Sequence, residues 1–154
     1  MQRDLMKTLI SWQKDPYRKP LMLRGARQVG KSWLVRELGK SFENFVEINF
    51  EERPDLTRFF DGNIEPKNIL THLSNFLDVQ IIPQKTLLFF DEIQLCPRAI
   101  LALRYFYEKL PELHVIGAGS LIEFELQNIS LPVGRIQFYY LYPLSFGEFL
   151  TVVG

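Results

Sequence analysis

One eight-residue segment combines two glycines, a lysine and a serine at the spacing G-x-x-x-x-G-K-[ST], which is typical of a phosphate-binding loop. It reads Gly25-Ala26-Arg27-Gln28-Val29-Gly30-Lys31-Ser32. The glycines let the backbone curl so that its N–H groups converge on a phosphate, and Lys31 adds a positive charge beside the β- and γ-phosphates. The segment therefore predicts that residues 25–33, ending at Trp33, hold a nucleoside triphosphate such as ATP.

The residues on either side of this segment suit such a loop. The apolar run at residues 21–23, after Pro20, predicts a strand, and Leu34 and Leu38, one turn apart, predict a helix. The amino terminus of that helix would point its positive end at the phosphate, and the Ser32 hydroxyl is placed to hold Mg²⁺. A glycine-rich turn without a ligand is the alternative, and the two flanks favour the phosphate loop.

Two adjacent carboxylates, Asp91 and Glu92, follow a wholly apolar run at residues 87–90. A run without alternation predicts a central parallel strand, and ligands of open α/β sheets bind at the carboxyl ends of such strands. Nucleotide hydrolysis needs an acid that holds Mg²⁺ and a group that orients water. We therefore assign Asp91 to the metal together with Ser32, and Glu92 to the water. The alternative is an acidic pair that only supplies charge to a helix amino terminus.

Predicted strands and helices alternate along the whole chain. The period of the apolar residues predicts helices at residues 3–14, 31–39, 66–79 and 97–111, and strands at 20–23, 45–50, 86–90, 113–116 and 136–140. A turn-rich stretch at residues 51–63 has room for a short helix, and a second short helix should follow Gly117-Ala118-Gly119-Ser120 and end near Gln127. This alternation indicates an α/β fold with a parallel sheet covered by helices on both faces.

The composition predicts a single packed domain over residues 1–154. Of the 154 residues, 47% are hydrophobic and 13 are phenylalanine, which argues against disorder. No apolar run approaches the roughly 20 residues that span a bilayer, and no signal peptide is evident, so we expect a cytoplasmic protein without a membrane partner. One cysteine, Cys96, and two distant histidines, His72 and His114, do not predict a disulfide, a metal site or catalysis.

Positive charge is concentrated in the first forty residues. These contain ten Lys or Arg and three Asp or Glu, a net charge of +7, while the remainder carries −7. Such a segment could contact nucleic acid. The favoured alternative is that this charge belongs to the phosphate loop and to a solvated helix face.

Several motifs in order resemble the AAA+ domain of a prokaryotic ATPase family, in which a C-terminal domain of unknown function usually follows. The resemblance covers nearly the whole chain and is carried by the phosphate loop, Leu87-Leu88-Phe89-Phe90-Asp91-Glu92-Ile93-Gln94, Gly119-Ser120, Gly134-Arg135 and Tyr142-Pro143-Leu144-Ser145-Phe146-Gly147-Glu148-Phe149. It implies a P-loop NTPase fold whose parallel five-stranded sheet has the order 5-1-4-3-2, with ATP and Mg²⁺ as cofactors.

The resemblance also implies roles for two further residues. Ser120 stands at the position of a polar sensor residue close to the γ-phosphate, and a plain helix N-cap is the alternative. Arg135 stands where AAA+ proteins carry an arginine finger, which stabilises the transferring phosphoryl group, often across a subunit boundary. A finger would imply a homo-oligomer, and a surface arginine is the alternative.

The end of the chain predicts a missing lid. Ser145 and Glu148 form a capping box that should open a helix shortly before Gly154. AAA+ proteins place a helical lid after this point, so we expect a fragment without lid or C-terminal domain that binds ATP weakly and hydrolyses it slowly.

Two functional hypotheses remain. The first is Mg²⁺-dependent ATP hydrolysis, in which Lys31, Glu92, Ser120 and Arg135 take part in catalysis. The second is a nucleotide-gated switch or DNA-associated interaction module with incidental turnover, motivated by the basic first quarter and the missing lid.

Overall fold

Strands and helices alternate along the chain, as the apolar periodicity predicts. The computed structural model describes residues 3–25, 30–120 and 134–141. Its helices are α1 (Arg3–Lys14), α2 (Lys31–Gly39), α3 (Pro66–Leu77) and α4 (Pro97–Lys109). Its strands are β1 (Leu21–Gly25), β2 (Asn44–Asn49), β3 (Thr86–Asp91), β4 (His114–Ser120) and β5 (Gln137–Leu141). Two 3-10 helices, Pro54–Phe60 and Ile93–Leu95, follow β2 and β3.

The five strands form one sheet in the order β2-β3-β4-β1-β5, and each adjacent pair is parallel. This confirms the predicted α/β fold and the predicted order 5-1-4-3-2. Because the strands are parallel, their last residues share one edge of the sheet, which we call the carboxyl edge. The opposite side, where the strands begin, is the amino edge. Ligands of such sheets bind at the carboxyl edge.

Each face of the sheet packs against its own pair of helices. Leu21 and Leu23 of β1 share a core with Leu34 of α2 and Trp12 of α1, and we call this side the α2 face. Met22 points to the other face, into a core built mainly with α3 and α4. Successive strand residues point to opposite faces, so burial on both sides accounts for the apolar sequence of β3 and β4.

Strand β4 is longer than predicted. Gly117, Ala118, Gly119 and Ser120 were expected to follow the strand, but they pair with residues 22–25 of β1. The small residues make room for a neighbour, because a Cβ atom at Gly117 would lie 2.9 Å from Ile93 Cδ1. Glycine therefore marks a close contact at this position rather than a turn.

The helical spacing of Ile69, Leu73 and Phe76 in α3 predicts that Phe76 faces the core with the other two, but Phe76 lies largely outside it. Phe76 is 46% exposed. Its ring lies 5.3 Å from that of Phe59 and 4.7 Å from the guanidinium carbon of Arg58. The prediction of burial was wrong here because a cation–π contact with Arg58 lets a half-exposed aromatic ring pack on the surface.

His114 connects the amino edge of the sheet to α1 and to the segment after α1 through polar contacts of both ring nitrogens. Its Nε2 lies 3.0 Å from the Gln13 carbonyl oxygen, and its Nδ1 lies 3.2 Å from Arg18 Nη2. Burial lowers the pKa of His114 to about 4, so the ring is neutral near pH 7. His114 is therefore a packed histidine that joins two segments of the chain.

Some predictions fall outside the described residues. These are the loop segment 26–29, the short helix expected to end near Gln127, and the capping box of Ser145 and Glu148. Within the described ranges, no helix is long and apolar enough to cross a membrane.

Candidate functional site

The loop closes onto α2 through Gly30 and Lys31. Gly30 adopts φ 86°, a left-handed conformation that favours glycine, and α2 begins at the next residue. The first N–H groups of a helix have no intrahelical partner, and Gly30 has no side chain to cap them. The Lys31 side chain is 7% exposed, and its Nζ donates to the Gly25 carbonyl oxygen at 3.2 Å. The lysine charge is therefore held between the two ends of the loop.

Ser32 and Asp91, which are 59 residues apart in sequence, meet at the carboxyl edge. The Ser32 hydroxyl donates to Asp91 Oδ2 at 2.5 Å. Asp91 is the last residue of β3 and is 3% exposed. Its side chain points to the α2 face because it alternates in step with Leu87 and Phe89, which lie in the core on that side.

Burial makes the ionised form of the Asp91 carboxylate unfavourable at this position. Burial raises its pKa above the ordinary value, and the negative charge of Glu92 raises it further, while the hydrogen bond from Ser32 lowers it. A divalent cation would stabilise the ionised form, and Mg²⁺ prefers carboxylate and hydroxyl oxygens as ligands. The pair of Ser32 and Asp91 therefore fits a magnesium ion by charge and by donor type.

Glu92 turns away from its neighbour. Its backbone is left-handed, with φ 53° and ψ 45°, and its N–H donates to Asp91 Oδ1 at 2.9 Å. Its Oε2 accepts a hydrogen bond of 2.6 Å from Gln94 Nε2. The two adjacent carboxylates therefore have different partners, as their assignment to different roles requires.

Gln94 was not among the predicted site residues. It lies in the 3-10 helix Ile93–Leu95 and is 0% exposed. The sequence carries one signal for it, since an amide interrupts the otherwise apolar run from Ile93 to Cys96. Buried amides require hydrogen-bond partners, so such an interruption indicates a fixed polar contact.

Ser120 ends β4 at the same edge. It is buried and pairs in register with Gly25, the first residue of the loop. Ile116 and Ala118 lie in the core of the α2 face, so Ser120, two residues further along, also belongs to that face. The structure thus brings Ser120 to the side of the sheet that carries Lys31 and Asp91. Its alternative role as a helix N-cap concerns residues outside the described ranges.

Arg135 lies at the opposite edge. It precedes β5, whose Gln137 pairs with Leu21 at the start of β1, so the length of a five-residue strand, about 16 Å, separates it from the carboxyl edge. Its Nε donates to Glu108 Oε1 at 2.6 Å, and this bond, ahead of Arg104, holds the pKa of Glu108 below its ordinary value. Arg135 is therefore not brought together with the other predicted site residues of its own chain.

The remaining predicted residues are described in part. Trp33 lies in the first turn of α2 and is 42% exposed. Ala26, Arg27, Gln28 and Val29 fall outside the described residues. In the described part of the chain, no cluster of three or more His, Cys, Asp or Glu side chains could hold a metal ion. A magnesium site here would depend on the Ser32 and Asp91 pair together with ligands from nucleotide and water.

Comparison with known proteins identifies the family. A family model described as an AAA domain matches residues 17–150, which is most of the chain. No curated protein matches the chain significantly in sequence. The match spans the loop, the Asp91 and Glu92 pair and Arg135, and it agrees with the observed sheet order. The chain therefore belongs to the AAA domain family, a family of nucleotide-binding ATPases.

Proposed function

We propose that the chain binds ATP with Mg²⁺ at the carboxyl edge and hydrolyses it. The observation that carries this proposal is the contact of 2.5 Å between Ser32 Oγ and Asp91 Oδ2. It joins the first turn of the helix after the phosphate loop to the end of a buried strand. This is where a P-loop ATPase needs its two protein ligands for magnesium.

Phosphate binding falls to the loop and the start of α2. In this proposal the backbone N–H groups of residues 25–33, including those of Ala26, Arg27, Gln28 and Val29, bind the phosphates. Lys31 supports this role, because its ammonium group is already held at the mouth of the loop by the Gly25 carbonyl oxygen. Ser32 and Asp91 hold Mg²⁺, which neutralises charge on the phosphates when bound.

Water activation falls to Glu92. Its carboxylate is free to act apart from the metal ligand, because Asp91 binds Ser32 while Glu92 binds Gln94. Ser120 supplies a hydroxyl on the same face of the sheet, where it is suited to contact the γ-phosphate or the water.

Arg135 takes part in this proposal only through a second copy of the chain. Its position at the amino edge excludes its own nucleotide site, so it would reach the phosphate of a neighbouring protomer. Such an arrangement makes the active form a homo-oligomer.

The test is hydrolysis of ATP under single-turnover conditions, which detects slow turnover because the protein is in excess. Replacing the carboxylate in Glu92→Gln should leave ATP bound and lower the rate about a hundredfold or more. Glu112→Gln, a change at an exposed glutamate of the amino edge, is the matched control and should keep the full rate. An unchanged rate in Glu92→Gln would refute the assignment.

The DNA-associated alternative rests on the basic first quarter, and the structure reduces the charge available for it. Arg18 turns inward to the Glu112 carbonyl oxygen and His114, and Lys31 is buried in the loop. Arg36 is paired with Glu47. ATP hydrolysis measured with and without DNA separates the two functions, because stimulation with a steep salt dependence would favour the alternative.

A further inference from the structure

We propose that Gln94 is a positioning residue that holds the Glu92 carboxylate in the orientation needed for water activation. This inference rests on the proposed hydrolytic function of Glu92. It begins from the hydrogen bond of 2.6 Å between Gln94 Nε2 and Glu92 Oε2.

The amide is fixed more firmly than the carboxylate that it contacts. Gln94 is completely buried, whereas Glu92 is partly exposed at the carboxyl edge. A long carboxylate side chain in contact with solvent samples several rotamers, and a bond from an immobile donor selects one of them. Gln94 therefore restricts Glu92, and not the reverse.

The short 3-10 helix that carries Gln94 is anchored on two sides. Ile93 is buried against Gly117 of β4, where its Cδ1 occupies the space that a side chain would need. The Cys96 N–H donates to the Ile93 carbonyl oxygen at 2.9 Å, which closes the turn before α4. The position of the Gln94 side chain is thus set by the sheet.

The backbone of Glu92 indicates that this arrangement is imposed. A left-handed conformation is unfavourable for glutamate, and residues held in such conformations cluster at functional sites. Here the conformation turns the chain sharply out of β3, so that Glu92 meets Gln94 two residues later while its own N–H still binds Asp91. Both contacts depend on the same turn.

The hydrogen bond gives the two oxygens of the Glu92 carboxylate different roles. Oε2 accepts from Gln94, which leaves Oε1 as the acceptor for a proton of the attacking water. Misplacing a catalytic group by about 1 Å can lower a rate about a hundredfold. A donor that fixes Oε2 therefore affects the rate of hydrolysis without contacting the nucleotide.

Replacement of Gln94 by an apolar residue of similar size tests this role. Gln94→Leu should lower the single-turnover rate of ATP hydrolysis by about tenfold to a hundredfold. The affinity for ATP and the melting temperature should stay at the wild-type values, because leucine suits a buried position. Gln94→Glu should lower the rate further, since two carboxylates would then face each other. Leu95→Ala, in the same turn but half-exposed, is the matched control and should leave the rate and the affinity for ATP unchanged.

A double variant separates action through Glu92 from any other effect. In the Glu92→Gln background, Gln94→Leu should cause no additional loss of rate, because the carboxylate that it positions is already absent. An equal additional loss would overturn the inference, and so would a fall in ATP affinity or melting temperature that parallels the rate. A wild-type rate in Gln94→Leu beside a slow Glu92→Gln would overturn this inference and leave the proposed function intact. Absence of hydrolysis by the wild type would overturn both.

The hydrogen bond itself is measured without turnover. In an NMR spectrum, the side-chain amide protons of Gln94 should exchange slowly with solvent in the wild type and faster in Glu92→Ala, with Glu112→Gln as the control. Amide signals that do not respond to Glu92→Ala would overturn the inference even if hydrolysis were observed.

Discussion

The carboxyl and amino edges of the same sheet both contain buried polar side chains, but these side chains have different kinds of partner. At the amino edge, His114 contacts a backbone carbonyl oxygen of α1 and the guanidinium of Arg18. At the carboxyl edge, Asp91 contacts the hydroxyl of Ser32 and the N–H of Glu92, while the adjacent Glu92 brings a second negative charge.

This difference indicates that the polar cluster at the amino edge serves packing, whereas the one at the carboxyl edge is suited to bind a ligand. Burial leaves His114 neutral, so the amino edge carries no buried imidazolium. At the carboxyl edge, burial and the charge of Glu92 raise the pKa of Asp91, so a bound cation would stabilise its ionised form. Changes at the carboxyl edge should therefore lower activity and raise stability, whereas changes at the amino edge should affect stability and leave ATP binding unchanged.

The largest expected effect is that of Asp91→Asn. The amide keeps the shape of the side chain but removes the negative charge that we propose binds Mg²⁺, so hydrolysis should fall below detection. Because the ionised carboxylate is unfavourable in the folded protein, the melting temperature without nucleotide should rise. Calorimetry and single-turnover kinetics on one preparation measure both. A lower melting temperature together with a normal rate would show that Asp91 stabilises the fold and is not needed for hydrolysis.

A change at His114, at the amino edge, should affect stability but not ATP binding. Its pKa is about 4 in the folded protein against 6.5 ordinarily, so the unfolded chain binds the proton first as the pH falls. Stability should decrease between pH 6.5 and 4, by at most about 3 kcal/mol, and no further below pH 4. Denaturant unfolding of wild type and His114→Gln isolates this contribution from other titrating groups. ATP binding by His114→Gln should remain normal, and an equal pH dependence in both proteins would contradict the assignment.

Gly117→Ala should produce a smaller, mixed effect. The new methyl group would lie 2.9 Å from Ile93 Cδ1, so the end of the buried Ile93 side chain, in the 3-10 helix beside Glu92, must move. We expect a loss of about 1–3 kcal/mol in stability and a several-fold slower hydrolysis. Gly62→Ala adds a methyl group at a left-handed glycine, and nothing lies within 4 Å of the added group. That control should lose stability alone, and equal rates in the two variants would contradict the coupling.

The smallest effect on stability is expected for Arg135→Ala. Its ion pair with Glu108 is exposed, and such pairs contribute little to folding. If Arg135 acts on a neighbouring protomer, hydrolysis should fall although the melting temperature does not change. Mixing the Arg135→Ala and Glu92→Gln proteins should then restore activity. In such a mixture, some interfaces join the Arg135 of a Glu92→Gln protomer to the intact Glu92 of an Arg135→Ala protomer. A mixture as slow as its components would exclude action between protomers.

Much of the fold could be predicted from the sequence because local patterns decided it. The wholly apolar residues 87–90 indicated a buried strand, and the spacing of Leu34 and Leu38 indicated the helix after the loop. The extension of β4 could not be predicted, because Gly117 and Gly119 resemble a turn until the packing of Ile93 is known. The half-exposed Phe76 likewise depends on Arg58, which is distant in sequence.

The candidate site divides in a similar way. The types and order of Ser32, Asp91 and Glu92 predicted which residues belong to it, because each role requires a particular functional group. The contact between Gln94 and Glu92 depends on a left-handed turn, and glutamate gives no sign of that conformation in a sequence. The position of Arg135 depends on the parallel register of β5 with β1.

Calorimetric titration with ATP, in Mg²⁺ and in excess chelator, measures directly whether Ser32 and Asp91 form a magnesium-dependent nucleotide site. Mg²⁺ should strengthen ATP binding to the wild type, Asp91→Asn should abolish this strengthening, and Glu112→Gln should retain it. Equal affinities with and without Mg²⁺ in the wild type, or an unchanged response to Mg²⁺ in Asp91→Asn, would contradict a nucleotide site built on Ser32 and Asp91.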